Sequence, residues 1–135
     1  MNTREKESGM QNLRINARRL WDTIMETAKI GSTAKDGICR LTLTDVDRQV
    51  RDWFVKACES IGCTVTVDEM GNIFAHRLGK DNSLPPIAMG SHLDTQPSGG
   101  KFDGIVGVLS GLEVLCTLND AGYTTNAPLE VINWT

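Results

Sequence analysis

The chain contains 135 residues, which is enough for one domain of ordinary size. Apolar residues make up 40% and charged residues 23% of the sequence, fractions that exclude collagen-like, low-complexity and wholly disordered proteins. The 14 Lys and Arg residues are scattered among 17 Asp and Glu residues, for a formal net charge of −3. This balance offers no basic surface, so we expect no nucleic-acid partner.

No targeting or membrane-spanning segment is evident in the sequence. No apolar run approaches the roughly 18–20 residues that cross a bilayer, and the chain begins with a polar, charged stretch. The cysteines form no C-x-x-C pair, and no histidine cluster accompanies them. We therefore expect a cytoplasmic protein without a membrane partner, whose cysteines are free thiols. Residues 1–11 are expected to form a flexible tail.

The first half of the chain predicts two helices followed by a hairpin. Apolar residues at steps of three and four predict a helix over about 12–29. A second helix is predicted to begin after a Thr44 cap and to end at Gly62. Alternating segments rich in β-branched residues predict two strands over 63–68 and 72–77, joined by a tight turn.

The second half of the chain predicts a strand, a helix and a strand. A short apolar run predicts a buried strand over 87–92, a wide apolar face predicts a helix over 103–121, and a last strand is predicted over 129–134. Helices and strands therefore alternate, which is typical of the α/β class. The last three elements are expected to form a right-handed crossover between neighbouring parallel strands.

Side chains with metal-binding chemistry concentrate where the third predicted strand ends. His92 and Asp94 are two residues apart, so an extended backbone places both side chains on one side. Asp103 opens the following helix, and the glycine-rich loop between them can fold back sharply. Because ligands bind at the carboxyl ends of strands in open α/β sheets, an imidazole and two carboxylates can converge there.

This set of side chains suits a divalent cation. Imidazole and carboxylate are good ligands for zinc and acceptable ligands for manganese or cobalt. We assign Asp103 as a carboxylate that bridges two metal ions, and Asp94 as the partner that orients the His92 imidazole. The H-x-D pattern alone also occurs by chance, and the alternative is a strand end followed by a polar turn. A phosphate-binding loop, a G-x-G-x-x-G fingerprint and a G-x-S-x-G elbow are all absent from the sequence.

The segment from Gly90 to Glu113 resembles the metal-binding segment of the carbamoylase-type amidases. It reads Gly-Ser-His-Leu-Asp-Thr-Gln-Pro-Ser-Gly-Gly-Lys-Phe-Asp-Gly and continues Ile-Val-Gly-Val-Leu-Ser-Gly-Leu-Glu. Further matching segments lie upstream, and they are Arg40-Leu-Thr-Leu-Thr-Asp45, Arg51-Asp-Trp-Phe54 and Asp68-Glu-Met-Gly-Asn-Ile73. The family includes N-carbamoyl-L-amino-acid hydrolase, β-ureidopropionase and allantoate amidohydrolase, and it is related to the two-zinc aminoacylases and carboxypeptidases.

The resemblance implies a fold and an activity. Residues 12–135 would form the N-terminal portion of a metallo-hydrolase catalytic domain. This portion would be a partial α/β/α sandwich of the two-zinc exopeptidase-like kind, with its sheet incomplete at the C-terminal end. The implied reaction is hydrolysis of the C–N bond of N-carbamoyl amino acids or related ureido acids by a metal-activated water. The implied substrate is a small molecule, and the full-length parent would be a homodimer.

The resemblance also implies roles for particular residues. His92 and Asp103 would be metal ligands in a site for two divalent ions, zinc first, with manganese or cobalt as alternatives. Asp94 would support His92 in catalysis. In relatives the bridging aspartate can precede a cis peptide bond, which here would be the bond between Asp103 and Gly104.

The sequence departs from the family at its end. In the family, a strand like 129–134 continues into two adjacent glutamates, of which the first is the general base and the second a metal ligand. Those glutamates, further histidine ligands and the smaller dimerisation domain would lie beyond Thr135. The resemblance therefore implies an N-terminal fragment that is inactive alone. The alternatives are a non-catalytic or degenerate fragment and a related dipeptidase or deacylase.

Overall fold

A computed structural model describes residues 12–135, which form three helices and four strands. In chain order these are α1 (Ala17–Thr27), α2 (Asp45–Ser60), β1 (Thr64–Val67), β2 (Ile73–Arg77), β3 (Ile87–Ser91), α3 (Ile105–Asp120) and β4 (Leu129–Asn133). The predicted tail at 1–11 lies outside the described residues. None of the helices within 12–135 is both long enough and apolar enough to cross a bilayer.

Side-chain caps determine where the first two helices begin. The Asn16 side chain accepts a hydrogen bond from the backbone N–H three residues on, at 3.0 Å, so α1 begins at Ala17 and not near residue 12. Thr44 accepts an equivalent bond at 3.2 Å, which confirms the predicted cap of α2. Gly62 follows α2 with a φ of 85°, a left-handed conformation that suits glycine at a helix end.

The four strands form one mixed sheet in the order β1-β2-β4-β3. The predicted hairpin is confirmed, since β1 and β2 pair antiparallel with Val65 opposite Ala75. β2 also pairs antiparallel with β4, and Ala75 there faces Val131. β3 and β4 pair in parallel with Met89 opposite Val131, and α3 connects these two strands. The predicted α/β class is therefore confirmed.

β3 differs from its prediction as a buried strand. It pairs with β4 on one side and lies at the edge of the sheet formed by the described residues. Its first residue, Ile87, is 61% exposed, and Ala88 is also exposed. The apolar run identified the strand correctly, but burial depends on the position of a strand within its sheet, which a local pattern does not reveal.

One apolar core lies between the helices and the sheet. Its most deeply buried side chains are Val50, Phe54, Cys58, Ala75, Leu93, Val108, Leu115 and Val131. Glycines bring α3 close to the sheet, because a Cβ on Gly107 would lie only 2.6 Å from the Cβ of Ser91. A Cβ on Gly111 would similarly lie 3.0 Å from both methyl groups of Val131. This close packing keeps the start of α3 against the end of β3.

The cysteines are free thiols, as predicted. Cys58 and Cys63 are buried, whereas Cys39 and Cys116 are partly exposed. Burial raises the pKa of the Cys58, Cys63 and Cys116 thiols, so these three groups stay protonated near neutral pH. Their contribution is therefore packing rather than nucleophilic chemistry.

A charged cluster fastens α1 to α3. The Arg19 guanidinium donates to the two carboxylate oxygens of Glu113 at 2.7 and 2.9 Å, and to Asp120 at 2.6 Å. The nearly buried Glu113 carboxylate also accepts from the Asn16 N–H at 2.8 Å and the Thr117 hydroxyl at 2.9 Å. Burial alone raises the pKa of Glu113, but these hydrogen bonds outweigh it and hold the pKa below its usual value.

Glu113→Gln should therefore lower the free energy of unfolding near neutral pH by about 2 kcal/mol, because bonds to a charged acceptor are lost. Since folding lowers the pKa of Glu113, its contribution is full above the unfolded-state pKa and disappears as the pH falls through the folded-state pKa. Urea unfolding at decreasing pH should show that the free energies of unfolding of the wild type and the variant become equal in acid. A difference in the free energy of unfolding that stays constant with pH would contradict this account. Glu59→Gln on the exposed side of α2 is the control.

Candidate metal centre

His92 and Asp94 follow β3 and lie on either side of a buried residue. Leu93 is fully buried, whereas the His92 and Asp94 side chains are 41% and 32% exposed. An Asp94 carboxylate oxygen lies 3.4 Å from Nδ1 of His92. Both polar side chains therefore lie together just past the carboxyl end of β3, where the chain bends at Leu93.

The main chain of Asp94 orients the His92 ring. Nδ1 of His92 lies 2.9 Å from the carbonyl oxygen of Asp94. A carbonyl oxygen can only accept a hydrogen bond, so this contact requires a proton on Nδ1, and the neutral form of such a ring has its lone pair on Nε2. The predicted orienting group was the Asp94 carboxylate, which lies within reach, but the shorter contact comes from the carbonyl of the same residue.

Gly104 packs directly against the His92 ring. It has φ 72° and ψ −51°, and the Ile105 N–H donates to the Asp103 carbonyl at 2.8 Å. These values define a γ-turn of the rarer, positive-φ kind. A Cβ at position 104 would overlap the Cε1, Nδ1 and Nε2 atoms of His92. Glycine is therefore required here both by the turn and by the ring that lies on it.

The ring contact brings the backbone of Asp103 close to His92. Asp103 directly precedes Gly104, adjacent Cα atoms are about 3.8 Å apart, and the Asp103 residue is exposed. Within residues 12–135, no three His, Cys, Asp or Glu side chains converge as a metal-binding group. The described chain thus joins His92 with Asp94 and places Asp103 nearby without completing a three-ligand set.

The peptide bond that follows Asp103 differs from the expectation. No cis peptide bond occurs among the described residues, so the bond between Asp103 and Gly104 is trans. The reversal of the chain at this point comes instead from the positive φ of Gly104.

The glycine-rich loop before α3 is fastened to an upstream loop. Ile38 and Gly99 exchange backbone hydrogen bonds of 2.9 Å in both directions. The Lys101 ammonium reaches the Asp36 carboxylate at 2.5 Å. These contacts hold the loop against the segment around Ile38 and pair Lys101 with Asp36.

Two buried polar residues that were not predicted contact the backbone of residues 92–94, which we call the site segment. The Leu93 N–H donates to Oδ1 of Asn133 at 2.8 Å, and Nε of Arg40 donates to the Leu93 carbonyl at 2.9 Å. Arg40 and Asn133 are 1% and 2% exposed. Arg40 belongs to an upstream segment that matches the family, but it is 53 residues from its partner, so no local pattern signals the contact.

The other histidine lies on the sheet, away from the site segment. Nδ1 of His76 on β2 is 3.0 Å from a carboxylate oxygen of Glu130 on β4. The His76 side chain is partly buried.

The chain is similar to known hydrolases and amidases over most of its length. The chain is 53% identical over 125 residues to an N-carbamoyl-L-amino-acid amidohydrolase of Rhizobium meliloti, covering 93% of this chain and 30% of that protein. It is 34% identical over 124 residues to a ureidoglycolate hydrolase of Arabidopsis thaliana, covering 92% of this chain and 26% of that protein. A crystal structure of a hydantoinase/carbamoylase family amidase from Burkholderia ambifaria aligns with a TM-score of 0.90 and 54% identity. The alignment covers 91% of this chain and 30% of that amidase. No protein-family model matches the chain.

These relatives carry names of hydrolases and amidases that act on C–N bonds. The chain is homologous to the carbamoylase-type amidases, and the resemblance predicted from its motifs is confirmed. It spans about 30% of the length of the relatives that it matches.

Gly104→Ala should displace the His92 ring, because the added methyl group overlaps three of its atoms. Gly122→Ala is the matched control, since Gly122 also has a positive φ but no heavy atom lies within 4 Å of the point that an added Cβ would occupy. Gly122→Ala should lose about 1–2 kcal/mol of stability from its positive φ, and Gly104→Ala should lose more, because overlap with the ring adds to the backbone strain. Only Gly104→Ala should shift the side-chain NMR signals of His92, and unchanged signals in that variant would contradict the packing described here.

Proposed function

We propose that this chain supplies part of the metal centre of an amidohydrolase that cleaves the C–N bond of N-carbamoyl amino acids or related ureido acids. The observation that carries the proposal is the His92 ring, whose Nδ1 is held by Asp94 and whose Nε2 is left for a ligand, beside Asp103. The names of the Rhizobium meliloti and Arabidopsis thaliana relatives support the substrate class.

His92 and Asp103 fit part of a site for a divalent cation, although the described residues do not complete a three-ligand set. Metal-ligating histidines commonly donate their other ring N–H to a carbonyl or carboxylate, which is the contact that His92 makes with Asp94. Nε2 of His92 and the carboxylate of Asp103 would hold the metal, with zinc first and manganese or cobalt as alternatives. A pair of divalent ions bound there would lower the pKa of a water molecule and polarise the carbonyl of the substrate.

In this proposal, residues of this chain bind the metal and orient its ligands, and other residues complete the reaction. The Asp94 carbonyl keeps the proton on Nδ1 of His92, so that Nε2 remains available. The general base and further metal ligands are assigned beyond Thr135, so residues 1–135 alone are proposed to be inactive. The full-length protein is proposed to be a cytoplasmic homodimer that acts on a small-molecule substrate.

His92→Ala in the full-length gene product is expected to lower hydrolysis of N-carbamoyl-L-amino acids by about 100-fold or more, because a metal ligand is removed. Ammonia release measures the rate, and elemental analysis measures the zinc retained after dialysis. His76→Ala removes the other histidine. This variant should retain both zinc and activity within about twofold, because the His76 ring contacts Glu130 and not the site segment.

Three results would overturn the proposal in different ways. Unchanged zinc content in His92→Ala would show that the metal assignment is wrong. A zinc-loaded wild type that cleaves dipeptides or N-acyl amino acids instead would identify the dipeptidase or deacylase alternative. A wild type that binds no divalent metal and cleaves none of these compounds would identify a non-catalytic protein.

A further inference from the structure

We propose that Arg40 and Asn133 are positioning residues that clamp the backbone of Leu93 and thereby direct His92 and Asp94 toward a bound divalent cation. This inference rests on the proposed function, because it assigns both residues to the same metal centre.

The clamp acts on both sides of Leu93. Asn133 accepts from the Leu93 N–H at 2.8 Å, and Arg40 donates to the Leu93 carbonyl at 2.9 Å. The Leu93 side chain is anchored in the core with no exposed surface. Because the N–H, the carbonyl and the side chain of this residue are all held, the backbone rotations that would redirect His92 and Asp94 are blocked.

The main chain of Arg40 extends the clamp by two residues. The Thr95 N–H donates to the Arg40 carbonyl at 2.8 Å, and the Arg40 N–H donates to the Thr95 hydroxyl at 2.8 Å. Thr95 is also buried. Asp94, whose carbonyl holds the His92 ring, therefore lies between two residues that are both bonded to Arg40.

The far side of the Arg40 guanidinium is anchored to the end of α1. Its Nη1 donates to the carbonyls of Thr27 and Ile30 at 3.0 and 2.8 Å. Positive groups are favourable at the carboxyl end of a helix, where unpaired carbonyls accumulate. A rigid element of the fold therefore supports the site segment through one side chain.

The chemistry of Arg40 indicates positioning rather than space filling. Burying a charged guanidinium is energetically unfavourable, and an apolar side chain of similar size would fill the same volume without that penalty. Burial lowers the pKa of Arg40, while the negative charges of Asp47 and Asp94 act in the opposite direction. The planar, forked donor set reaches three carbonyls at once, which a lysine ammonium on a flexible stem does not reproduce.

The position of Asn133 follows from the parallel strand pair. Asn133 ends β4 opposite Ser91, the last residue of β3. Its side chain therefore lies at the point where β3 ends and the site segment begins. There, the Leu93 N–H donates to the Asn133 side chain in place of the next backbone hydrogen bond between β3 and β4.

Zinc affinity of the full-length gene product tests the clamp with two variants and two matched controls. Asn133→Leu removes the acceptor at similar volume, and Arg40→Lys keeps the charge but loses the fork. Both should weaken zinc binding by about 10–100-fold in chelator competition, the effect expected when the support of a metal ligand is lost. Asn82→Leu loses an equivalent bond from the Gly79 N–H, and Arg19→Lys loses the bidentate pair with Glu113. Both controls should bind zinc within about twofold of the wild type.

Nitrogen-15 NMR of the metal-free protein, labelled at histidine, separates failure of the clamp from failure of the proposed function. The wild type should show His92 protonated at Nδ1, and Asn133→Leu and Arg40→Lys should show a mixture of the two tautomers. If the wild type does not bind zinc through His92, the proposed function fails, and the tautomer measurement still decides the clamp.

Retention of both the His92 tautomer and the zinc affinity in Asn133→Leu would overturn the clamp. Equal loss of affinity in the control variants would also overturn it, because the effect would then reflect general stability. If Arg40→Lys does not fold, Asn133→Leu alone decides the outcome.

Discussion

The contact between the His92 ring and the backbone of Gly104 is the interaction on which the candidate site depends. It joins the end of β3 to the start of α3, two points that are separated by the whole glycine-rich loop. Two conditions make the contact possible. Gly107 and Gly111 let α3 lie close to the sheet, and the positive φ of Gly104 turns the chain without a side chain in the way.

The site is consequently a property of tertiary packing rather than of one motif. The motif supplies His92 and Asp94 two residues apart, and pairing of β3 with β4 sets where the strand ends. Arg40 and Asn133 then hold the intervening backbone from two other parts of the chain. Such outer contacts commonly determine how well a histidine ligand is aimed, because the ligand itself has rotational freedom that must be removed.

The elements that sequence reasoning predicted well are those that local patterns determine. Thr44 caps α2 through its own side chain, and the hairpin follows from two β-branched runs and a tight turn. The contact of His92 with Asp94 agrees with the prediction from their two-residue spacing, although both residues lie just beyond the end of β3. Each of these features depends on residues within a few positions of one another, so the chain order contains the information.

The features that were missed depend on distant or main-chain partners. The exposure of β3 depends on its place at the edge of the sheet, and the contact of Arg40 with Leu93 spans 53 residues. The group closest to Nδ1 of His92 is the carbonyl of Asp94, which carries no signal in side-chain identity. The bond between Asp103 and Gly104 is trans and not cis as the resemblance implied, and the contact of the Gly104 turn with the His92 ring joins residues 12 positions apart.

Anomalous X-ray diffraction at the zinc absorption edge, from crystals of the full-length gene product grown with zinc, tests the central claim most directly. The account predicts an anomalous peak within coordination distance of Nε2 of His92 and of the Asp103 carboxylate, about 2.0–2.2 Å away. A zinc peak bound elsewhere, with the His92 ring turned away from Asp103, would contradict it.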